Sequence, residues 1–250
     1  MELPICNEAP VDLIVNDNKI VTFMCTPQNL KELTVGYLYS RGIIKSIADI
    51  LVLGACDDMR EVHVKISGQL KKEQIGLGVV LSGCGSGGGN FFDKEKLQSW
   101  TVDSNFSIST VNLREFFKEM NDRAELYNQT GGMHSAGVIS ENELVLVQED
   151  VGRHNSVDKA IGKGLFLGLD PSKHGIITTG RLSSDLVLKS IGAGYSLVAT
   201  RSIPTTMAYD MAKETGIILI GRGARKSPYV YTQSQKISLD DENIEKGEAK

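Results

Sequence analysis

The chain has 250 residues, 41% hydrophobic and 23% charged, a composition that is typical of globular proteins and excludes disordered and fibrous ones. Its 27 basic and 31 acidic residues give a net charge of −4, so it lacks the broad basic field of a nucleic-acid-binding protein. The longest nearly apolar run, 75–81, is far shorter than the roughly 20 residues that cross a bilayer, and Glu2 stands where a signal peptide would be basic. We therefore expect a cytoplasmic protein that binds neither nucleic acid nor membrane.

Residues 1–108 are predicted to form short strands with one helix in the first third of the chain and a short helix near the end of the part. Strands at 11–15 and 20–24 should form a hairpin, because Asn16-Asp17-Asn18 between them is a turn signal. A helical pattern follows Thr26-Pro27 and continues, with apolar residues three and four positions apart, until about Gly42. The other predicted elements of this part are strands at 50–53 and 61–67, a strand or helix end at 75–81, and a helix at 93–100.

From residue 109 the pattern changes to helices that alternate with strands. A helix from Ser109 or Asn112 to about Asn128 precedes two strands, and further helices then separate single strands. Such alternation is typical of a parallel sheet covered on its faces. The predicted strands are 133–139, 144–148, 175–179, 196–199 and 217–220, and the later helices are 155–167, 183–191 and 204–214. The sequence therefore predicts an α/β protein with two α/β parts, 1–108 and 109–237, and a charged tail at 238–250.

The four cysteines are Cys6, Cys25, Cys56 and Cys84. No pair has the spacing of a zinc knuckle or a redox dithiol, so neither a metal site nor a disulfide is expected. Cys25 and Cys56 lie in or after apolar runs and are interpreted as small buried hydrophobes. Cys84 lies in the glycine-rich stretch 82–89, where a thiol is accessible and backbone N–H groups favour thiolate. The alternative is an ordinary exposed loop cysteine.

The same glycine-rich stretch also matches a dinucleotide-binding pattern. Residues 83–88 fit GxGxxG, and Asp103 follows Gly83 by twenty positions. In a Rossmann fold the helix begins within the glycines, whereas here helical residues begin only near Phe91. A Rossmann-type NAD oxidoreductase therefore stays an alternative, although the predicted elements around the glycines do not match a Rossmann fold.

Polar residues gather where three of the predicted strands end. The segments are 149–159, 178–184 and 200–206, and a glycine turn with a histidine, 130–137, feeds another strand. In an open α/β sheet, ligands bind at the carboxyl ends of the strands, beside helix N-termini. Within 149–159, basic and amide side chains suit a phosphate or a purine edge, and three acids suit a base or ribose. The alternative is a helix-capping network, but three such strand ends favour an anionic ligand across the sheet edge.

The chain resembles the FdhD family in several of these segments. They are 36–44, 130–134, 149–159 and 179–183, with shorter ones at 193–194, 202–205 and 231–232. The similarity runs in order over roughly residues 10 to 237, and the block Glu149-Asp-Val-Gly-Arg-His-Asn155 is highly specific. FdhD proteins are sulfur carriers for formate dehydrogenase.

The resemblance implies a function and a fold. A cysteine desulfurase would donate persulfide sulfur, and the chain would pass it to molybdenum bis(molybdopterin guanine dinucleotide) before this cofactor enters formate dehydrogenase. The C-terminal part would be a three-layer sandwich resembling the cytidine-deaminase fold, GDP would partly mimic the cofactor, and the protein would be a homodimer. Deaminase chemistry is not expected, because its zinc signature needs H-x-E and P-C-x-x-C, whereas Ser135-Ala136 follows His134 and no cysteine follows Cys84.

The resemblance also implies a set of site residues. Cys84 would carry the persulfide as the catalytic residue. The residues implied to bind the cofactor are His134, Arg153, His154, Asn155, Asp158, Lys159, Arg181, Ser183, Thr205, Arg222, Gly223, Ala224, Arg225, Lys226 and Ser227.

Two departures from the family pattern affect this assignment. The family loop usually has the form C-G-x-C-G, whereas here Gly87 replaces the second cysteine. The family segment G-F-x-R-G is Gly-Arg-Gly-Ala-Arg at 221–225, so its aromatic residue is missing and its arginines are displaced. A cofactor-binding chaperone that has lost the sulfur relay is therefore the alternative function, ahead of the NAD oxidoreductase.

Overall fold

The computed structural model describes residues 3–56, 58, 60–71, 79–80, 102 and 106–238. The Cys84 loop, Asp103, the predicted helix at 93–100 and the predicted tail beyond Ser238 lie outside these residues. Within the undecided run 75–81, Val79–Val80 form a short strand. None of the helices in the described ranges combines the length and the apolar character that crossing a bilayer requires.

The first part of the chain forms a five-stranded sheet. Asn16 and Asp17 adopt left-handed conformations with φ of 48° and 65°, which suits a two-residue hairpin turn, and the predicted hairpin is confirmed. Among the described residues, the inner face of the sheet packs on the helix Leu30–Ser40. The strand order is β3-β4-β1-β2-β5, with β1 (Ala9–Val15), β2 (Asn18–Cys25), β3 (Ile50–Ala55), β4 (Glu61–Ile66) and β5 (Val79–Val80).

The helix of the first part, α1 (Leu30–Ser40), begins later than the pattern predicts. Thr26 is held by the second part of the chain instead. Its N–H donates to the Asp150 carboxylate at 3.1 Å, and its hydroxyl accepts from the Val151 N–H at 3.2 Å. A contact that is remote in sequence therefore sets the start of this helix.

The second part of the chain forms a six-stranded mixed sheet in the order β12-β11-β10-β9-β7-β8. Strands β9, β10 and β11 are parallel, as predicted, whereas β7, β8 and β12 pair antiparallel with their neighbours. A separate strand pair joins β6 to β13. The strands are β6 (Ile108–Ser109), β7 (His134–Ile139), β8 (Leu144–Asp150), β9 (Gly175–Thr178), β10 (Leu197–Thr200), β11 (Ile218–Gly221), β12 (Tyr229–Val230) and β13 (Ile237–Ser238).

The helices of this part are α2 (Thr110–Asp122), α3 (Glu125–Thr130), α4 (Arg153–Phe166), α5 (Ser184–Gly192) and α6 (Thr206–Thr215). The single helix predicted to reach Asn128 is in fact two, α2 and α3. It breaks at Arg123, whose guanidinium donates to the Leu144 carbonyl at 2.7 Å. This contact comes from the following hairpin, so the local pattern could not reveal it.

Alternate residues of the second sheet face two separate cores. Ile176 and Leu219 pack with helices α4, α5 and α6, whereas Ile177 and Ile218 pack with α2 on the other face. Because successive side chains of a strand point to opposite faces, both faces must be covered. The predicted three-layer α/β sandwich is confirmed.

Helices α1 and α4 pack backbone against backbone. A Cβ atom on Gly36 would lie 1.8 Å from the Asp158 carbonyl oxygen, and one on Gly162 would lie 1.9 Å from the Glu32 carbonyl oxygen. Glycine is therefore required at both positions. Since this contact joins the two predicted parts, the division at residue 108 stays a prediction.

Candidate functional site

An open cleft of about 660 Å³ lies at one edge of the six-stranded sheet. Strands β9, β10 and β11 are parallel, so their carboxyl ends share this edge, and β7 runs the opposite way and begins there. This is the edge where open α/β sheets bind ligands. The cleft therefore lies where the polar strand ends predict an anionic ligand.

Three arginines from successive loops line the cleft. Arg181 follows β9, Arg201 follows β10 and Arg222 follows β11. Of the described residues that line it, none is acidic. Guanidinium groups can donate two hydrogen bonds at once to phosphate or carboxylate oxygens. The arrangement is suited to an anionic ligand with more than one charged group.

His134 forms part of the cleft wall beside these arginines. Its Nδ1 lies 3.2 Å from the Thr179 hydroxyl, which also accepts from the Ser135 N–H at 3.1 Å. Partial burial, followed by the charge of Arg153, lowers the pKa of His134. The imidazole is therefore neutral at pH 7 and suited to hydrogen bonding with a base or ribose rather than to pairing with a phosphate.

The segment 222–227 leaves β11 in a conformation that backbone hydrogen bonds hold. Arg222 has a left-handed φ of 53°, and its N–H donates to the Ser202 carbonyl at 2.7 Å. A Cβ on Gly223 would lie 2.4 Å from the Phe117 ring, so this turn requires glycine. Beyond it, Ala224, Arg225 and Lys226 are exposed, and Ser227 is partly buried.

A second cleft, of about 480 Å³, lies on the other side of the β10 loop. Its lining includes Arg114, Lys118 and the acidic Glu115 of α2, Ala224 and, again, Arg201. The segment 222–227 thus contributes Arg222 to the first cleft and Ala224 to the second. Because Arg201 lines both clefts, its guanidinium can serve a ligand in either.

Arg114, Lys118 and Arg201 line the clefts although they are not among the predicted site residues. Arg201 lies within 200–206, which was singled out as a polar strand end, so a signal for it existed. Arg114 and Lys118 are ordinary polar residues of an amphipathic helix. Only the packing of α2 beside the β10 and β11 loops brings them to a cleft, so no local signal could have found them.

Lys159 and Asn155 lie in the interior, away from the cleft. The Lys159 ammonium lies 2.7 Å from the Asp150 carboxylate, and both side chains are fully buried. Lys159 also donates to the carbonyls of Thr26 at 3.0 Å and Glu149 at 3.2 Å. Asn155 donates to Asp150 at 3.0 Å and to the Met24 carbonyl at 2.9 Å. These contacts hold the end of β2 against β8 and α4, and they differ from the helix cap of the alternative interpretation, because the N-cap of α4 is Gly152, with no side-chain cap.

Asp158 is also interior. Its carboxylate accepts from the Lys189 ammonium at 2.5 Å and from the Ser40 hydroxyl at 3.4 Å. Burial raises the pKa of Asp158 and lowers that of Lys189, and the attraction between the two opposes both shifts. The structure thus places Asn155, Asp158 and Lys159 in the interior rather than in the lining of the cleft.

His154 and Ser183 pair with each other at the helix starts. The His154 Nε2 lies 3.2 Å from the Ser183 hydroxyl and 3.5 Å from the Asp185 carboxylate. Burial lowers the pKa of His154 to about 3, so the ring is neutral. Since Ser183 precedes the first residue of α5, the pair ties the starts of α4 and α5 together.

Arg153 and Thr205 flank the loops that form the cleft. The Arg153 side chain packs on Gly180, where an added Cβ would lie 2.8 Å from the Arg153 Cβ. Thr205 caps α6, its hydroxyl accepting from the Ala208 N–H at 3.4 Å. Arg153 therefore borders the Thr179–Arg181 loop, and Thr205 holds the loop that carries Arg201.

The described cysteines differ in their surroundings. Cys25 is buried, as predicted, and burial raises the pKa of its thiol to about 12. Cys56 is only partly buried, contrary to the prediction of a buried hydrophobe. Cys6 lies beside the cleft, since its Sγ is 3.4 Å from the Thr130 hydroxyl and a Cβ on Gly132 would meet it at 2.5 Å.

Comparison with known proteins assigns the chain to a family. The family model of FdhD/NarQ matches residues 6–238. The chain belongs to the FdhD/NarQ family. The family segments 36–44 and 149–159 thus include Gly36, which touches α4, and the interior network around Asp150 and Lys159.

Individual members of the FdhD/NarQ family match nearly the whole chain. A sulfur carrier protein FdhD of Bacillus subtilis (strain 168) is 32% identical over 232 residues, covering 92% of this chain and 88% of that protein. One of Listeria innocua serovar 6a is 31% identical over 237 residues, covering 92% and 90%. A crystal structure described as a formate dehydrogenase accessory protein of Desulfotalea psychrophila superposes with a TM-score of 0.76 at 25% identity, covering 95% and 92%. These matches favour a sulfur carrier over the NAD oxidoreductase.

Proposed function

We propose that the chain is a sulfur carrier for formate dehydrogenase, with the guanine-nucleotide phosphates of molybdenum bis(molybdopterin guanine dinucleotide) bound in the arginine-lined cleft. The observation that carries the nucleotide part is the convergence of Arg181, Arg201 and Arg222 from three successive strand ends. Family membership and the printed names of its relatives support the sulfur-carrier part. The family resemblance further supports a cysteine desulfurase as donor and a homodimer as the working form.

In this proposal different cleft residues bind different chemical groups of one guanine nucleotide of the cofactor. The arginines pair with the diphosphate. Removing this charged group from water costs free energy, and the charge-assisted hydrogen bonds from the guanidinium groups offset that cost. Neutral His134, held through Nδ1 by Thr179, is left with Nε2 for the base or ribose. Arg201 also lines the second cleft, so a second charged end of the same ligand has a cation within reach.

The sulfur transfer is proposed to pass through Cys84. Its thiolate attacks the terminal sulfur of the desulfurase persulfide, forming a bond between Cys84 and that sulfur. The bond from that sulfur to the desulfurase cysteine breaks, and the cysteine leaves as a thiolate that takes up the proton lost by Cys84. Because Gly87 replaces the second loop cysteine, no thiol within the loop competes for the sulfur.

Mass spectrometry after treatment with a cysteine desulfurase and cysteine tests this proposal. We expect one added sulfur on the peptide that contains Cys84, retained in Cys6→Ser and absent in Cys84→Ser. Cys6 is the matched control because its thiol lies beside the cleft. If Cys84→Ser gains as much sulfur as the parent, or if neither gains any, the relay does not pass through Cys84.

A cofactor-binding chaperone without a relay is the second candidate, and the replacement at Gly87 favours it. It predicts that nucleotide binding persists while no sulfur is acquired. The mass measurement and a GDP titration on the same preparation therefore separate the two functions.

A further inference from the structure

Three side chains with metal-binding atoms meet on the β3–β4 hairpin, on the sheet that does not form the cleft. They are Cys56, Glu61 and His63, and one ligand atom of each lies within 4.8 Å of the other two. The cluster contains a thiol, a carboxylate and an imidazole. No step of the proposed sulfur transfer uses any of them.

The strand register explains why these side chains meet. Ala55 pairs with Val62, so Cys56 faces Glu61 across the hairpin end, and the Cys56 N–H donates to the Glu61 carbonyl at 3.0 Å. Two residues along the strand, His63 projects from the same face as Glu61, while Val62 points to the core. These side chains are thus held on one face of the hairpin.

The hairpin also leaves room for an ion beside the imidazole. The residue opposite His63 is Gly54, and a Cβ placed on it would have no atom within 4 Å. The side chains of His63 and Glu61 are 50% and 46% exposed, so both can turn toward a common centre. The backbone thus fixes the separation of the ligands while their side chains remain adjustable.

We propose that Cys56, Glu61 and His63 bind a zinc ion. Thiolate and imidazole are ligands that zinc accepts and magnesium and calcium do not favour. One thiolate, one carboxylate and one neutral imidazole carry two negative charges, which match a divalent cation. Three protein ligands leave the fourth tetrahedral position to water.

Binding requires a defined redistribution of protons. In the metal-free protein the His63 Nε2 lies 2.8 Å from a Glu61 oxygen. With zinc bound, neutral His63 carries its proton on Nδ1 and presents the Nε2 lone pair to the metal. The Cys56 thiol releases its proton to solvent, so each zinc ion displaces one proton from it.

The site would hold together the two ends of the connection between β3 and β4. Since β3 is the edge strand of its sheet, only β4 pairs with it among the described strands. An ion bound by residues from both sides of the hairpin stabilises the folded form by mass action. This role is independent of the proposed sulfur transfer and of nucleotide binding.

Zinc and cobalt titrations of the full chain test the site. A Cys84→Ser background removes the loop thiol, and a chelator removes bound metal before titration. We expect one equivalent of zinc to bind, and cobalt to give a thiolate charge-transfer band that is lost in Cys56→Ser. His63→Gln should weaken zinc binding at least about tenfold, since even residues that only orient a metal ligand typically cost about 10–100-fold.

Matched controls are Cys6→Ser and His174→Gln, which change the same residue types away from the hairpin and should leave zinc binding unchanged. If Cys56→Ser misfolds, Glu61→Gln and His63→Gln still test the site, because both side chains are exposed. Retention of the cobalt band in Cys56→Ser, or unchanged zinc affinity in both Glu61→Gln and His63→Gln, would overturn the proposal. Neither result bears on persulfide formation at Cys84, so the two proposals fail separately.

Discussion

At the scale of single residues, similar side chains of the polar strand ends 149–159, 178–184 and 200–206 serve different purposes. Lys159 lies in the interior, where Asp150 and two backbone carbonyls satisfy its ammonium group. Arg181 and Arg201 are exposed at the cleft. The difference arises because Lys159 lies on the face of α4 that meets β2, whereas the arginines lie in loops after strand ends.

Arg201→Ala is expected to weaken GDP binding by about 10–150-fold, because a charge-assisted contact to phosphate contributes about 1.5–3 kcal/mol. Arg201→Lys should have an intermediate effect, since lysine keeps the charge but not the paired donors. Isothermal titration calorimetry measures both changes. Arg60→Ala is the matched control, since Arg60 is highly exposed on the β3–β4 connection.

The same titrations discriminate between the functional alternatives. The nucleotide site predicts that GDP binds more tightly than ADP or NAD, and that Arg153→Ala weakens it through the neighbouring Thr179–Arg181 loop. Equal affinity for GDP and NAD would count against the guanine-nucleotide site and favour the oxidoreductase. If Arg201→Ala bound GDP with the same affinity as Arg60→Ala, Arg201 would not be part of the nucleotide site.

At the scale of elements, α1 and α4 cross backbone against backbone and so join the two parts of the chain. Gly36 lies against the backbone of Asp158, and Gly162 lies against the backbone of Glu32. Asp158 in turn pairs with Lys189 of α5. A change in the α1–α4 distance would therefore also disturb the buried Asp158–Lys189 pair that joins α4 to α5.

Gly36→Ala should destabilise the protein by about 1–3 kcal/mol, because its methyl group would overlap a backbone carbonyl that cannot rotate away. The sign of this change in stability is informative, because replacing glycine by alanine inside a helix otherwise stabilises a protein by roughly 0.5–1 kcal/mol. Urea denaturation measures the change. Gly68→Ala is the control, because a Cβ there meets nothing within 4 Å. A Gly36→Ala protein as stable as its parent would contradict the close crossing.

At the scale of the whole molecule, a buried polar network fastens the two sheets together. Asp150 accepts hydrogen bonds from Thr26, Gly152 and Asn155, and it pairs with Lys159. Burial raises the pKa of Asp150, while Lys159 opposes that shift. The carboxylate is therefore compensated only as long as the lysine is present.

Lys159→Met should lower the free energy of unfolding at pH 7 by about 3–5 kcal/mol, because it leaves a buried charge without its partner. The pKa of Asp150 would then rise further in the folded protein. The loss of stability caused by the unpaired carboxylate should shrink as the pH falls and Asp150 becomes protonated. The free energy of unfolding of Lys159→Met should therefore approach that of the parent at low pH. Urea denaturation at several pH values measures this trend.

A double variant provides the control for that experiment. Asp150→Asn in the Lys159→Met background removes the charge and keeps one oxygen, which can accept from the Thr26 N–H or the Gly152 N–H, because these two groups donate to different oxygens of Asp150. It should regain part of the lost stability at pH 7. A Lys159→Met protein as stable as its parent at pH 7 would show that the pair does not hold the two sheets together.

The sequence by itself determined the elements and the family. The Asn16-Asp17-Asn18 turn predicted the hairpin correctly, and the alternation after residue 109 correctly predicted a sheet that is covered on its faces. These features depend on interactions between residues close in the chain and on which strand face is apolar, so they can be predicted from the sequence. The same order carried the segments that identified the family.

Only the tertiary structure decided which polar residues face the cleft and which are interior. The start of α1 at Leu30, the break after α2 and the placement of Lys159 all depend on partners that are distant in the chain. The meeting of Cys56 with Glu61 and His63 likewise depends on strand register rather than on a ligand-spacing motif. The local sequence specifies the chemistry of a side chain, whereas the packing between elements determines which groups it contacts. Those contacts decide whether a polar residue lines the cleft or is paired in the interior.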